Sequence, residues 1–342
     1  MELQFGLDTF GDVTVDLEGR RLSQAQVIRN VIEEGVLADS LGVDAFGVGE
    51  HHRDDFAVSA PETVLAAIGA RTTRILLGTA VTVLSSDDPI RVYERFATLD
   101  ALSNGRAEIT LGRGSFIESF PLFGYDLNDY EKLFTEKLDL FAAVREEKRF
   151  SWEGTVRPPL ENVDVFPKTE SGQLRTWIGV GGTPESVLRA ARYRFRLALA
   201  IIGGSPERFK PYAELYRRAL EESDGPKLPI AVHSPGFLAD TDEEAQELLF
   251  PYFKLQRDRI GRERGWPPTT REQFDAEVAE GAVFAGSPET VATKIARTVT
   301  ALGIDRFDLK YSNGALPHEH LMRAIELYGT QVIPRVRELL AD

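Results

Sequence analysis

Four short stretches carry the residue types with which this chain could do chemistry. In the first, the apolar run Asp44-Ala45-Phe46-Gly47-Val48-Gly49 ends in Glu50-His51-His52, which holds two of the five histidines of the chain. An acid beside two imidazoles can take up and release protons near neutral pH. In the second, Gly112-Arg113-Gly114-Ser115 sets a guanidinium between glycines, suited to two-pronged contact with a phosphate or carboxylate. In the third, Gly181-Gly182-Thr183-Pro184-Glu185-Ser186 places two glycines and two hydroxyls where a helix begins. Free backbone N–H groups and the helix dipole attract anions there. In the fourth, Gly78-Thr79-Ala80-Val81 is a run of small side chains against which a flat ring can lie.

Each stretch also has a plainer reading. The histidines could be bonded to Glu50 and loop carbonyls, Arg113 to a loop acid, and the glycine pair could be a tight turn. A metal site is disfavoured. Adjacent residues on an extended chain point to opposite faces, so His51 and His52 do not share a ligand, and only His233, His318 and His320 remain. His318-Glu319-His320 follows Pro317 at a helix start and is expected to face solvent.

The elements that position these residues alternate. Strands are expected at Leu3–Asp8, Ala45–Gly49, Ile75–Thr82, Ala107–Leu111, Thr176–Val180, Leu197–Ile202, from Leu228, and at Arg306–Lys310. Helical spacing follows most of them, as in Val27, Val31, Ile32, Val36, Leu37 and Leu41, closed by Gly42. Val156–Pro159 and Val163–Pro167 read as the two arms of a small edge hairpin. Thr183-Pro184-Glu185, Ser205-Pro206-Glu207 and Ser287-Pro288-Glu289 each supply a cap, a proline and an acid for a helix start. Eight strand–helix units predict a closed (β/α)8 TIM barrel of the α/β class. A doubly wound sheet is disfavoured, because Asp8-Thr9-Phe10-Gly11 lacks the glycine-rich dinucleotide turn. The four stretches would then lie at the C-terminal ends of strands. Residues 1–342 read as one domain, with a charged helical insertion or lid at about 242–281 and a long aromatic loop at 116–128.

Composition narrows the partners. Fifty-four acidic against 40 basic residues give a net charge of −14, which repels nucleic acid. There are no cysteines, so disulfides and thiolate chemistry are excluded, and a reducing compartment fits. The N-terminus lacks a signal-peptide pattern, and no run reaches the roughly 20 apolar residues of a membrane span. A cytoplasmic location is expected.

Taken in order, Glu50-His51-His52, Gly78-Thr79-Ala80-Val81, Leu102-Ser103-Asn104-Gly105-Arg106, Gly112-Arg113-Gly114 and Gly181 to Ser186 resemble the luciferase-like flavin monooxygenase superfamily over nearly the whole chain. The resemblance implies FMN at the barrel mouth, with a non-prolyl cis peptide at Ala80-Val81 under the ring. Gly112 and Arg113 would lie near the phosphate, and Gly181, Gly182, Thr183 and Ser186 would form its loop. It implies that His51 acts as base or stabilises the flavin–oxygen adduct, with Glu50 orienting it. It further implies a small organic substrate, a separate flavin reductase supplying reduced FMN, and a homodimer. Deazaflavin-dependent hydride transfer on the same barrel and a non-catalytic flavin-binding protein are the alternatives. The chain departs from the family at Tyr193-Arg194-Phe195-Arg196, which leaves the path into the sixth strand open.

Overall fold

In the computed structural model, which describes residues 2–114 and 116–341, the alternating pattern becomes a ring of parallel strands inside a ring of helices. Ser115, the last residue of the glycine–arginine motif, lies outside the described residues. The strands are β1 Gln4–Thr9, β2 Ala45–Val48, β3 Leu76–Thr79, β4 Glu108–Gly112, β5 Arg175–Val180, β6 Arg196–Ala200, β7 Ile230–Leu238 and β8 Arg306–Lys310. A ninth piece, Thr82–Val83, continues β3 after a break.

β1 pairs with β2 and β8, β2 with β3, and β4 through β8 pair in chain order. The seam between β3 and β4 closes through less regular contacts. Leu77 and Ala107 form an isolated parallel bridge. The Thr79 hydroxyl accepts from the Thr110 N–H at 3.1 Å and lies 3.2 Å from the Thr110 carbonyl. Thr82–Val83 then pairs with Leu111 and Gly112. The strand expected as one piece at Ile75–Thr82 is therefore two, and the break falls at the cis peptide between Ala80 and Val81.

Strand alternation decides what fills the barrel. Phe5 and Leu7 of β1 and Phe307 and Leu309 of β8 are fully buried among the apolar residues beneath the helices. The intervening Asp8, Arg306, Asp308 and Lys310 are 4–6% exposed and face one another inside. Arg306 donates to Asp308 at 2.6 Å and to Glu108 at 2.5 Å, and Trp177 Nε1 donates to Glu108 at 3.2 Å. Glycines make room for these carboxylates. A Cβ on Gly6 would stand 1.8 Å from Asp308 Oδ1, and one on Gly47 2.0 Å from Asp8 Oδ1. Charges this deep are tolerated only when paired and hydrogen-bonded.

The hairpin is displaced from its expected place. Phe150–Trp152 pairs antiparallel with Leu160–Val163, so Pro158 and Pro159 lie in the connection, where no ladder donor is needed. Arg194 enters β6 through a left-handed conformation, φ 53°, and Arg196 then lies over the Trp177 ring at 5.3 Å. The span 242–281 holds the helices Asp242–Arg264 and Arg271–Ala279, between β7 and the helix Pro288–Leu302. Among the described residues, no helix is long and apolar enough to cross a membrane.

Candidate active site

The C-terminal ends of the strands gather three of the four stretches at one mouth, around the fourth. β2 ends at Val48, and the chain leaves it with Glu50, His51 and His52 on different headings. His51 is 8% exposed and enclosed by aromatic rings: Phe56 stacks at 4.2 Å, and Phe10 and Phe116 each stand at 5.0 Å. Its Nδ1 lies 3.6 Å from Glu118 Oε1, on the loop after β4. Burial works to raise the Glu118 carboxyl, but His51 beside it and the His52 backbone carry it below its ordinary value.

Glu50 does not orient His51. Its Oε1 is 2.9 Å from His52 Nε2 and its Oε2 accepts the Val83 N–H at 2.9 Å. Positions 50 and 52 meet, while the His51 ring lies among Phe10, Phe56 and Phe116. Glu50 thereby ties the histidine loop to the residues after the cis peptide. His318 also departs from expectation. Its Nδ1 donates to the buried Glu34 at 2.8 Å, and Tyr311 donates to the same carboxylate at 2.6 Å.

At the opposite side of the mouth, β4 and β5 deliver the arginine and glycine stretches together. Arg113 pairs with Glu131 and reaches the Ser186 hydroxyl at 3.4 Å. The Thr183 hydroxyl donates to Ser186 Oγ at 2.8 Å, and the Gly182 carbonyl accepts from Tyr212 at 2.7 Å. Of the three hydroxyl–proline–glutamate helix starts, Ser287 caps its helix through the Thr290 N–H. Thr183 makes no such bond, so no side chain caps Pro184–Arg192; Pro184 has no N–H, and the Ser186 N–H goes to the Thr183 carbonyl at 3.2 Å. Gly181 has open space where a Cβ would be.

Sequence reasoning missed Arg189. It lies three residues beyond Ser186, on the same face of one helix, and that spacing was the available signal. Its Nη2 meets Glu131 at 3.5 Å, while its Nη1 is buried with no hydrogen-bond partner. Two guanidiniums thus share one carboxylate, and one buried donor is unmet.

Between the two sides lies the small-residue stretch. Val81 covers the ends of β4 and β5. A Cβ on Gly112 would be 2.5 Å from Val81 Cγ2, and one on Gly179 3.2 Å from Val81 Cγ1. Gly112 is needed for that close approach. Over the mouth, the 242–281 segment reaches the loops after β1 and β2. Gln256 donates to Asp12 at 2.9 Å, and Glu263 pairs with Arg53 at 3.0 Å. Arg53 in turn lies over Phe116 at 4.7 Å. Among the described residues, no group of three or more His, Asp or Glu is arranged to hold a metal ion.

The (β/α)8 barrel thus brings an aromatic-lined histidine and an arginine–hydroxyl–glycine cluster to one mouth. Residues 9–306 match the family model described as luciferase-like monooxygenase, and the chain belongs to that family. It is 27% identical to the N-acetyl-S-alkylcysteine monooxygenase of Bacillus subtilis, over 85% of this chain and 89% of that one. Monooxygenase RslO1 from Streptomyces bottropensis superposes with a TM-score of 0.84 at 25% identity, covering 97% of this chain and 99% of that one. The oxygenating constituent of 3,6-diketocamphane monooxygenase from Pseudomonas putida, solved in complex with FMN, superposes with a TM-score of 0.77. It is 20% identical, over 98% of this chain and 99% of that one.

Proposed function

We propose that this chain is an FMN-dependent monooxygenase that oxidises a small organic substrate in the barrel mouth. The observation that carries the cofactor reading is the buried, unpartnered Nη1 of Arg189, beside Arg113, Ser186 and an uncapped helix start. That donor set suits a phosphate group. Arg113, Arg189, Thr183, Ser186 and the backbone of Gly181 and Gly182 would hold the phosphate, and Ala80 and Val81 would back the ring. Reduced flavin, once bound, would supply the electrons that activate oxygen.

The rest is the work of this chain's own side chains. Phe10, Phe56 and Phe116 keep water from His51, and the 242–281 segment acts as a lid over the loops that carry them. His51 holds or moves a proton at the reacting centre, steadied by Glu118. Glu50 positions the loop through His52 and Val83. A separate reductase delivering reduced FMN in the cytoplasm, and assembly as a homodimer, complete the reading.

Titration of the purified chain with FMN, followed by flavin fluorescence, tests the cofactor. Saturable binding is expected; indifference to FMN with tight binding of a deazaflavin would replace it by hydride-transfer chemistry. His51→Ala is expected to keep FMN binding and lower turnover by about 10²–10⁴-fold, the usual worth of a general acid or base. Unchanged turnover removes His51 from the chemistry.

A further inference from the structure

The reading above leaves a second histidine of the mouth without a task. His233 projects from β7 into the barrel, and its Nδ1 stands 2.6 Å from Asp8 Oδ2 on β1. Asp8 is itself held: it is 4% exposed, and its Oδ1 occupies the space left by the missing side chain of Gly47. The imidazole stacks on Phe10 at 5.9 Å with only 7° between the planes. That same Phe10 ring stands 5.0 Å from His51, so the two histidines border one aromatic side chain. The His233 side chain keeps 14% exposure, and its Nε2 has no hydrogen-bond partner among the described residues.

These features separate the two histidines. A carboxylate at 2.6 Å accepts the Nδ1 proton, which fixes the tautomer and leaves the Nε2 lone pair outward. Glu118, at 3.6 Å from His51, is beyond hydrogen-bonding distance and sits on a loop. The pair with a rigid, buried orienter on barrel strands is therefore Asp8–His233.

We infer that His233 is a general base of the mouth, with Asp8 as its positioning residue, acting on a substrate that carries an acidic O–H, S–H or N–H. The X–H bond breaks with its electron pair left on X, the proton goes to His233 Nε2, and Asp8 stabilises the imidazolium. Water later takes the proton and restores the imidazole. No electron is transferred in this step. The titratable groups around the pair are Asp308 and Lys310 from β8, Asp12 from the loop after β1, and His51 across Phe10. The inference assumes that the mouth is the reaction chamber, but its first test needs no ligand.

That test is nitrogen-15 NMR of the histidine-labelled wild-type chain, in which only five imidazoles must be assigned. The expected result is a neutral His233 in the Nδ1–H tautomer that takes up a second proton on acidification. An Nε2–H tautomer, or a ring that stays doubly protonated to pH 9, overturns the inference. Asp8→Asn is expected to mix the two tautomers, and an unaltered spectrum also overturns it. The wild-type measurement stands even if that variant does not fold. The second test adds 4-nitrophenol, an acidic O–H probe whose anion absorbs apart from its neutral form. Wild type is expected to bind the probe as the anion at a pH where the free probe is neutral, and His233→Gln is expected to lower that bound anion by about tenfold or more. An anion signal in His233→Gln equal to wild type, or none in wild type, overturns the general-base role.

Discussion

The floor of the barrel and its mouth are built from the same residue types and treat them in opposite ways. On the floor, Arg306 is met by Asp308 and Glu108 at 2.6 and 2.5 Å, and Glu108 is met again by Trp177. Every group there is buried and answered. At the mouth, Arg113 and Arg189 divide one carboxylate, Glu131, whose side chain is 60% exposed, and a buried donor of Arg189 goes unanswered. Charges on the floor are committed to one another. Those at the mouth share a carboxylate that stands in solvent. The difference separates a charge cluster that answers itself from one left partly unmet, which the proposed function uses for binding, though composition alone does not tell them apart.

Arg306→Met should show the largest effect. It strands two buried carboxylates, and loss of one member of such a pair costs about 3–5 kcal/mol. Denaturant unfolding should register that loss, whereas FMN affinity of the remaining folded protein should be little changed. A mild stability loss would mean that the floor is not the committed cluster described. Arg113→Ala should do the reverse. Removing a charged hydrogen-bond donor costs about 1.5–3 kcal/mol, or roughly 10–150-fold in the FMN Kd. Its melting temperature should stay near wild type, and a large fall would place Arg113 with the floor.

The floor also predicts a pH dependence. Burial pushes the Asp308 carboxyl up to about 7, partly opposed by Arg306. A carboxyl that holds its proton longer when folded stabilises the fold fully below its unfolded value of about 4. That contribution is lost as pH rises through about 7. Stability from this group should therefore fall between pH 4 and 7, and Asp308→Asn should flatten that slope. The smallest effect belongs to Glu131→Gln, which removes the competitor at the mouth. FMN binding should tighten by a few-fold with no change in unfolding; weaker binding would make Glu131 a ligand contact in its own right.

Much of this was legible along the chain. The expected strand at Arg306–Lys310 agrees with the structure to the residue, and most others differ by one or two at their ends. Most of them are buried along their whole length and read as short apolar runs between turns and helices. Thr82 was drawn into the third strand because residue types do not report a cis peptide that interrupts a run of β-formers. Prolines suit a strand edge and a connection alike, so residue types alone do not place the hairpin, whose Pro158 and Pro159 occupy the connection. Within the site, Arg113, Thr183 and Ser186 do come together, whereas Glu50 pairs with His52 and not with His51.

By itself the sequence determined the kind of fold and the set of groups delivered to one end of it. Both depend on local periods and on the order of elements, which are written along the chain. Only the tertiary structure decided which of those groups meet. Asp8 and His233 are 225 residues apart, and Arg113 and Ser186 are 73 apart. Arg306 and Glu108, drawn together across 198 residues, carry no local mark of their pairing. Such pairs follow from closing the barrel, which sets strands distant in sequence on facing walls, and their distances exist only once that closure is made.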